Sequence, residues 1–176
     1  MRPVLVVINM KLNHNMKLRN MKAFTLIEML VVISLIGILA SLVSVSFSSA
    51  QKQARDVTRK SDLKQYQTSL EVFANLASGL YPYRTATDAS TTLCNDLNTV
   101  IEPNISCSED PKVATNGAYR YISNGSGALG SSTGTAYVLW AKLENPATTT
   151  YYVVCSTGKV GTTTTLPTTS TCPTLN

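Results

Sequence analysis

Histidine is almost missing from this chain of 176 residues, and the only one, His14, lies near the start. Without further imidazoles, the chain has no means to build a Ser-His or Cys-His relay or a histidine metal site downstream. The sequence also contains no Gly-rich phosphate loop, nucleophile elbow or calcium-ligand pattern. Composition therefore predicts a protein that is not an enzyme, with no metal site and no cofactor.

Acidic residues are absent from residues 1–23, which hold five of the 15 Lys and Arg residues. From Phe24 onward, 15 − 5 = 10 basic residues face all 10 acidic ones, so the net charge of +5 belongs to the first 23 residues. A basic chain suggests a nucleic-acid partner, but this one is neutral beyond residue 23. We therefore interpret residues 1–23 as a leader peptide and expect no nucleic-acid partner.

Charge is also scarce in residues 24–47, where Glu28 is the only charged side chain. As a helix, a segment of this length extends roughly 36 Å, which is enough to cross a bilayer. A carboxylate at the entrance of such a span is costly unless it has a partner or reaches the interface. The pattern predicts a membrane-spanning helix, with Glu28 either paired or turned toward the headgroups.

Proline and glycine are absent from residues 48–78, so the helix is predicted to continue to about Ala77, before Gly79 and Pro82 end it. Charges of both signs between residues 52 and 64 predict a solvated face. Two further stripes, one of large apolar residues and one of small residues, lie on nearly opposite faces of this predicted helix. Large apolar residues predicted to pack on a head domain are Leu63, Tyr66, Leu70, Phe73 and Ala77. Small residues that either meet another helix or simply tolerate solvent are Ala50, Ala54, Val57 and Ser61.

Close cysteine pairs, which are typical of zinc sites, do not occur among the four cysteines. An even number of cysteines beyond a membrane segment indicates disulfides in an oxidising compartment, which places the head outside the cytoplasm. Three pairings are open, and buried free thiols are the alternative. The favoured pairing closes the shortest loops and joins Cys94 to Cys107 and Cys155 to Cys172.

Strand patterns appear only in the last third of the chain, at residues 119–123, 135–144 and 149–155. The Thr-rich tail from Gly161 is predicted to be a surface loop tethered by the Cys155–Cys172 disulfide. The predicted fold class is α+β: a long N-terminal helix, membrane-spanning in its first half, packed on a small antiparallel sheet of three to four strands. The predicted divisions are a leader (1–23), a transmembrane half-helix (24–47), an extracytoplasmic half-helix (48–78) and a globular head (79–176).

A resemblance to a known family rests on the segment Lys22-Ala23-Phe24-Thr25-Leu26-Ile27-Glu28, the apolar helix that follows it, and the order of helix and then sheet. Together these resemble the type IV pilin superfamily, including the major pseudopilin of type II secretion. The resemblance implies that prepilin peptidase cuts between Ala23 and Phe24 and that the new Phe24 amine is N-methylated. It also implies that Glu28 pairs with the Phe24 amine of a neighbouring subunit. The family usually has Gly where this chain has Ala23.

The function implied by the resemblance is that of a structural subunit of a type IV pilus or a type II secretion pseudopilus. The implied partners are prepilin peptidase, identical or related pilin subunits, the inner-membrane assembly machinery, and membrane lipid before assembly. The implied location is a single pass through the inner membrane with an extracytoplasmic head, and later a cell-surface or periplasmic filament. The alternative is a membrane-anchored, adhesin-like binding module with an uncleaved helix, in which the Thr-rich tail or the Tyr and Trp residues contact sugars. Trp140 and Tyr152 are predicted to lie on the same strand face or on neighbouring ones.

Overall fold

A computed structural model describes residues 24–103 and 105–176, with the backbone alone at 42–46. The predicted leader, including Ala23 at the expected cleavage position, lies outside the described residues. The chain divides into two compact units between Leu42 and Val43. The head and its packing belong to the second unit.

The longest described element is the helix α1, Leu26–Leu76. The predicted end near Ala77 is confirmed, and the backbone N–H of Gly79 closes the helix by donating to the Ala74 carbonyl at 2.7 Å. Gly79 has a φ of +82°, a conformation that glycine adopts without steric cost. Across residues 24–103 and 105–176, no helix combines the length and the hydropathy needed to cross a membrane.

The sheet is antiparallel, as predicted, but it is larger than the predicted three to four strands. Five strands pair in the order β2-β3-β5-β6-β7, and β1 and β4 form a separate pair. The three predicted strands are confirmed as β3, β5 and β6, with shorter bounds. The strands are β1 (Tyr81–Pro82), β2 (Thr87–Asp88), β3 (Arg120–Ser123), β4 (Ser132–Gly134), β5 (Tyr137–Lys142), β6 (Tyr151–Cys155) and β7 (Val160–Thr163).

Short elements fill the segment between α1 and β3. A π-helical turn, Ala89–Leu93, leads directly into α2, Cys94–Leu97, and α3 follows at Val113–Asn116. Asp88 caps the π-helical turn, because its Oδ1 accepts the backbone N–H groups of Ser90 and Thr91. These turns also contribute to the core, since Leu93 and Leu97 are fully buried.

The main core lies between α1 and one face of the sheet. The large apolar stripe of α1 is buried, as predicted, and Ala77 at its end is partly buried. The opposite small-residue stripe is exposed. Residues of the head that complete this core include Tyr119, Tyr121, Tyr137, Leu139 and Val154.

The second face of the sheet is covered by the C-terminal tail. Val138, Trp140 and Val153 are buried there, and Cys172 and Leu175 pack against them. Because both faces of β5 are covered, five of its six residues are buried in succession. The prediction of a surface loop after Gly161 is therefore wrong in part: the segment begins in β7 and then returns to cover the sheet.

The tail also closes the edge of the sheet at β7. Asn176 and Thr162 exchange backbone hydrogen bonds of 2.9 and 3.3 Å. The two predicted disulfides, Cys94–Cys107 and Cys155–Cys172, are confirmed, and no cysteine is free. The second disulfide joins the end of β6 to the tail, so it holds in place the segment that protects the β7 edge.

Candidate functional site

The start of α1 is fixed by reciprocal hydrogen bonds between Thr25 and Glu28. The backbone N–H and the hydroxyl of Thr25 donate to Oε2 of Glu28 at 2.8 and 2.9 Å, and the Glu28 N–H donates to the Thr25 hydroxyl at 3.2 Å. This is a capping box, in which a Thr and a Glu three residues apart satisfy backbone donors that the first helical turn leaves open. Sequence analysis missed this role of Thr25, although the Thr-x-x-Glu spacing carries it.

One oxygen of Glu28 has no hydrogen-bond partner among the described residues. Oε2 accepts both bonds from Thr25, and no described residue donates to Oε1. Phe24, the first described residue, is 76% exposed beside this helix start. Glu28 can thus cap its own helix and still accept a hydrogen bond from an amine on a second chain.

The apolar side chains that follow are exposed. Every residue from 24 to 41 is exposed, including Ile33 and Leu39. An apolar surface that is continuous over several helical turns is normally covered by lipid or by protein. The segment therefore has the kind of surface that packs against lipid or another protein.

A buried ion network, centred on Arg59, holds the second unit's part of α1 to the head. The Arg59 side chain is fully buried, and its Nε and Nη2 donate to both oxygens of Asp110 at 2.6 and 2.9 Å. Its Nη1 donates to Asp56 at 2.7 Å, and its Nη2 lies 2.8 Å from Glu144. Burial alone lowers the pKa of Arg59, but the hydrogen bonds to these three carboxylates outweigh it and raise the pKa above its ordinary value.

Glu144, in the connection between β5 and β6, also forms an ion pair with a second guanidinium group, that of Arg55. Arg55 donates to its two oxygens at 2.7 and 2.6 Å. These bonds, with smaller contributions from Arg59, lower the pKa of Glu144 to about 2. Asp56 then accepts the backbone N–H groups of Glu144 and Asn145, both at 2.9 Å. The connection is therefore bonded to α1 through both its side chain and its backbone.

The solvated face predicted for residues 52–64 is therefore wrong in part. Asp56, Arg59 and Asp62 are buried, because the head supplies counter-charges and hydrogen-bond partners from distant positions in the sequence. Lys52 and Lys60 on the same helix are exposed, as that interpretation expected. Alternating charge along one helix does not reveal which residues will meet a partner from another element.

Tyrosine hydroxyls of the head extend this pattern along α1. Tyr119 donates to Asp62 at 2.6 Å, and the hydroxyls of Tyr81 and Tyr137 both lie 3.2 Å from Glu71. Burial, followed by the charge of Glu71, raises the pKa of Tyr81 to about 12. The phenols stay protonated at neutral pH and act as hydrogen-bond donors to the helix.

The two aromatic residues named for the adhesin-like alternative, Trp140 and Tyr152, do not come together. Trp140 pairs with Val153 and is 4% exposed, whereas Tyr152 pairs with Ala141 and faces the other side of the sheet. The ammonium group of Lys60 lies 5.6 Å from the centre of the Tyr152 ring. The buried indole of Trp140 offers no face on which a sugar could stack.

No group of three or more metal-ligating side chains is arranged to hold a metal ion in the part of the chain that the structure describes. Where Asp56, Asp110 and Glu144 do converge, the Arg59 guanidinium already supplies the positive charge between them.

A protein-family model matches the N-terminal part of the chain. Residues 18–44 match a family model described as the prokaryotic N-terminal methylation motif. The match includes Ala23, Phe24 and Glu28 and ends within α1. Comparison with curated proteins and with solved structures found no match.

Proposed function

We propose that this chain is a structural subunit of a type IV pilus or a type II secretion pseudopilus. The chain carries the N-terminal methylation motif of type IV pilins and pseudopilins. In this proposal the precursor is anchored in the inner membrane by residues 24–47, with its head outside the cytoplasm. After processing, the subunit joins identical or related subunits through its N-terminal helix. Its role is non-enzymatic and requires no cofactor.

The observation that carries this proposal is the start of α1. The methylation motif coincides there with an exposed apolar helix and with a carboxylate that has one oxygen free of partners from the described residues. Prepilin peptidase would cleave between Ala23 and Phe24 and create a new amine, which is then methylated. Glu28 would accept a hydrogen bond from this amine on the neighbouring subunit.

The environment of the helix favours this pairing. A carboxylate among apolar side chains is costly to leave alone, and a cationic amine beside it offsets much of that cost. Before assembly, Thr25 already satisfies one oxygen of Glu28, which lowers the cost of placing the residue near the membrane entrance. The inner-membrane assembly machinery would then transfer the subunit from lipid to protein surroundings.

Two substitutions of Glu28 separate its capping role from its charge. Glu28→Gln keeps a side chain that can close the capping box but removes the negative charge, whereas Glu28→Ala removes both. Thr25→Ala removes the capping hydroxyl and leaves the charge. Glu102→Gln, at an exposed acidic residue of the head, is the matched control.

Assembly is measured as the amount of subunit in sheared, sedimented filaments, and anchoring as the amount that resists carbonate extraction. We expect Glu28→Gln and Glu28→Ala to be anchored but missing from filaments, and Thr25→Ala and Glu102→Gln to assemble. Filaments formed normally by Glu28→Gln would show that the charge has no part in assembly.

A further inference from the structure

Two adjoining clefts lie in the second unit, where α1 meets the connection between β5 and β6. One has a volume of about 340 Å³ and is bordered by Ser48 and Lys52. The other, of about 260 Å³, is bordered by Lys52, Lys142 and Thr149. Lys52 lines both clefts, so they form one continuous concave surface, which we name the Lys52 cleft.

The two lysines of the Lys52 cleft have no counter-ion among the residues that the structure describes. No described residue forms an ion pair or a hydrogen bond with the ammonium group of Lys52 or Lys142. Both residues are exposed. Thr148 and Thr149 add two exposed hydroxyl groups at the rim of the smaller cleft.

The acidic residue in the cleft does not cancel these charges. Glu144 lines both parts, but its oxygens bind Arg55 and Arg59 at 2.6 to 2.8 Å. A third cation, the ammonium group of Lys112, lies 3.8 Å from the same carboxylate. Asp56 and Asp110 form ion pairs with Arg59, so the nearby acidic groups are neutralised by other cations. These acidic groups therefore do not compensate the positive charges of the two lysines.

The geometry points to a binding site for a phosphate group in the Lys52 cleft, and we assign it to the headgroup of an anionic phospholipid. Two ammonium groups without partners among the described residues, with hydroxyl donors at the rim, supply positive charge and hydrogen-bond donors for the oxygens of an anionic phosphodiester. A lysine near an anionic membrane surface is attracted to it. The site would hold the head against the lipid surface before the subunit leaves the membrane.

The position of the cleft in the sequence favours lipid over a soluble phosphate. Lys52 is five residues beyond Phe47, where the apolar run ends. Five residues of helix rise roughly 7.5 Å, which carries a side chain from the edge of the hydrocarbon core into the headgroup layer. This inference rests on the proposed function, because it requires residues 24–47 to lie in the membrane.

The test uses the full chain, purified in neutral detergent micelles, and native mass spectrometry to count bound lipids. The probes are short-chain phosphatidylglycerol, short-chain phosphatidylcholine and inorganic phosphate. The variant Lys52→Gln/Lys142→Gln removes both charges, and Lys52→Arg/Lys142→Arg restores them. Lys159→Gln is the control, since Lys159 is exposed at the far end of β6, in the turn to β7.

We expect one phosphatidylglycerol to bind more tightly than phosphatidylcholine, and its affinity to fall roughly tenfold or more in the double Gln variant. The double Arg variant and Lys159→Gln are expected to bind as the unchanged chain does. Equal binding by the double Gln variant would overturn the site. Binding of inorganic phosphate without preference for phosphatidylglycerol would overturn its assignment to lipid.

Failure of this site and failure of the proposed function give different results. Carbonate extraction of cells that produce the same chain reports anchoring without reference to the Lys52 cleft. An anchored chain that shows no lysine-dependent lipid binding contradicts the cleft alone. A chain that is extracted from the membrane contradicts the anchoring on which both proposals depend.

Discussion

Arg59 and Asp110 form a two-bond ion pair, with the Arg59 side chain fully buried and 1% of the Asp110 side chain exposed. The two residues lie 51 positions apart, so the pair joins α1 to the loop that precedes α3. Arg59 also holds Asp56 and Glu144, which makes it the point where the helix and two connections of the head meet.

Replacing Arg59 with Met is expected to destabilise the head strongly. The change leaves Asp56 and Asp110 buried without their cation, and removal of one partner from a buried pair typically costs about 3–5 kcal/mol. Asp110→Asn leaves Arg59 with two carboxylates and should cost less, about 1–3 kcal/mol. Urea unfolding followed by circular dichroism measures both changes.

Lys159→Gln serves as the matched control for this pair, because it removes one positive charge at an exposed position. Its free energy of unfolding should stay within about 0.5 kcal/mol of the unchanged chain. Equal stability of Arg59→Met and Lys159→Gln would contradict the role given to the network.

Stability is expected to fall in acid because of Glu144. Its pKa is about 2 in the folded chain, against an ordinary value of 4.5, so its stabilising contribution is complete above pH 4.5 and is lost as the pH falls toward 2. At about 1.4 kcal/mol per pKa unit, this contribution is at most roughly 3.5 kcal/mol.

The measurement is thermal unfolding of the unchanged chain and of Glu144→Gln between pH 6 and pH 2. The unchanged chain should lose its stability advantage over Glu144→Gln across the lower part of this range. An advantage that stays constant down to pH 2 would show that Glu144 does not titrate as the geometry requires.

Removing the disulfide Cys155–Cys172 is expected to release the tail from the second face of the sheet. Trp140 lies beneath that segment and is the only tryptophan, so its fluorescence reports the loss of cover directly. Cys155→Ser/Cys172→Ser should shift the emission to longer wavelength and lower stability by about 2–5 kcal/mol.

The other disulfide provides the comparison. Cys94→Ser/Cys107→Ser removes a bridge from a segment that contacts the main core, on the opposite side of the sheet from Trp140. This variant should also lose stability, but its tryptophan emission should remain unchanged. Identical emission from both double variants would contradict the covering role of the tail.

Local patterns were enough to predict the helix, its buried stripe, three strands and both disulfides. The 3.6-residue period placed Leu63, Leu70 and Phe73 together, and β-forming runs placed β5 and β6, because these signals are contained in short stretches of sequence. The disulfide pairing followed from loop length alone, since Cys94 and Cys107 are separated by only 13 positions.

The remaining features depend on contacts between distant residues. Nothing near Arg59 in the sequence indicates that Asp110 will pair with it. Likewise, β7 is too short to stand out and contains Gly161, a residue type that is depleted in strands; β6 and Asn176 provide its hydrogen bonds. The capping box differs, because Thr25 and Glu28 have a recognisable spacing that sequence analysis overlooked.

The most direct test of the account is the intact mass of the chain recovered from purified surface or periplasmic filaments, measured without reduction. We expect a chain that begins at Phe24, carries one added methyl group at its amine and keeps both disulfides closed. Filaments whose subunits retain residues 1–23 would contradict processing between Ala23 and Phe24. Filaments that lack this chain altogether would contradict its role as a structural subunit.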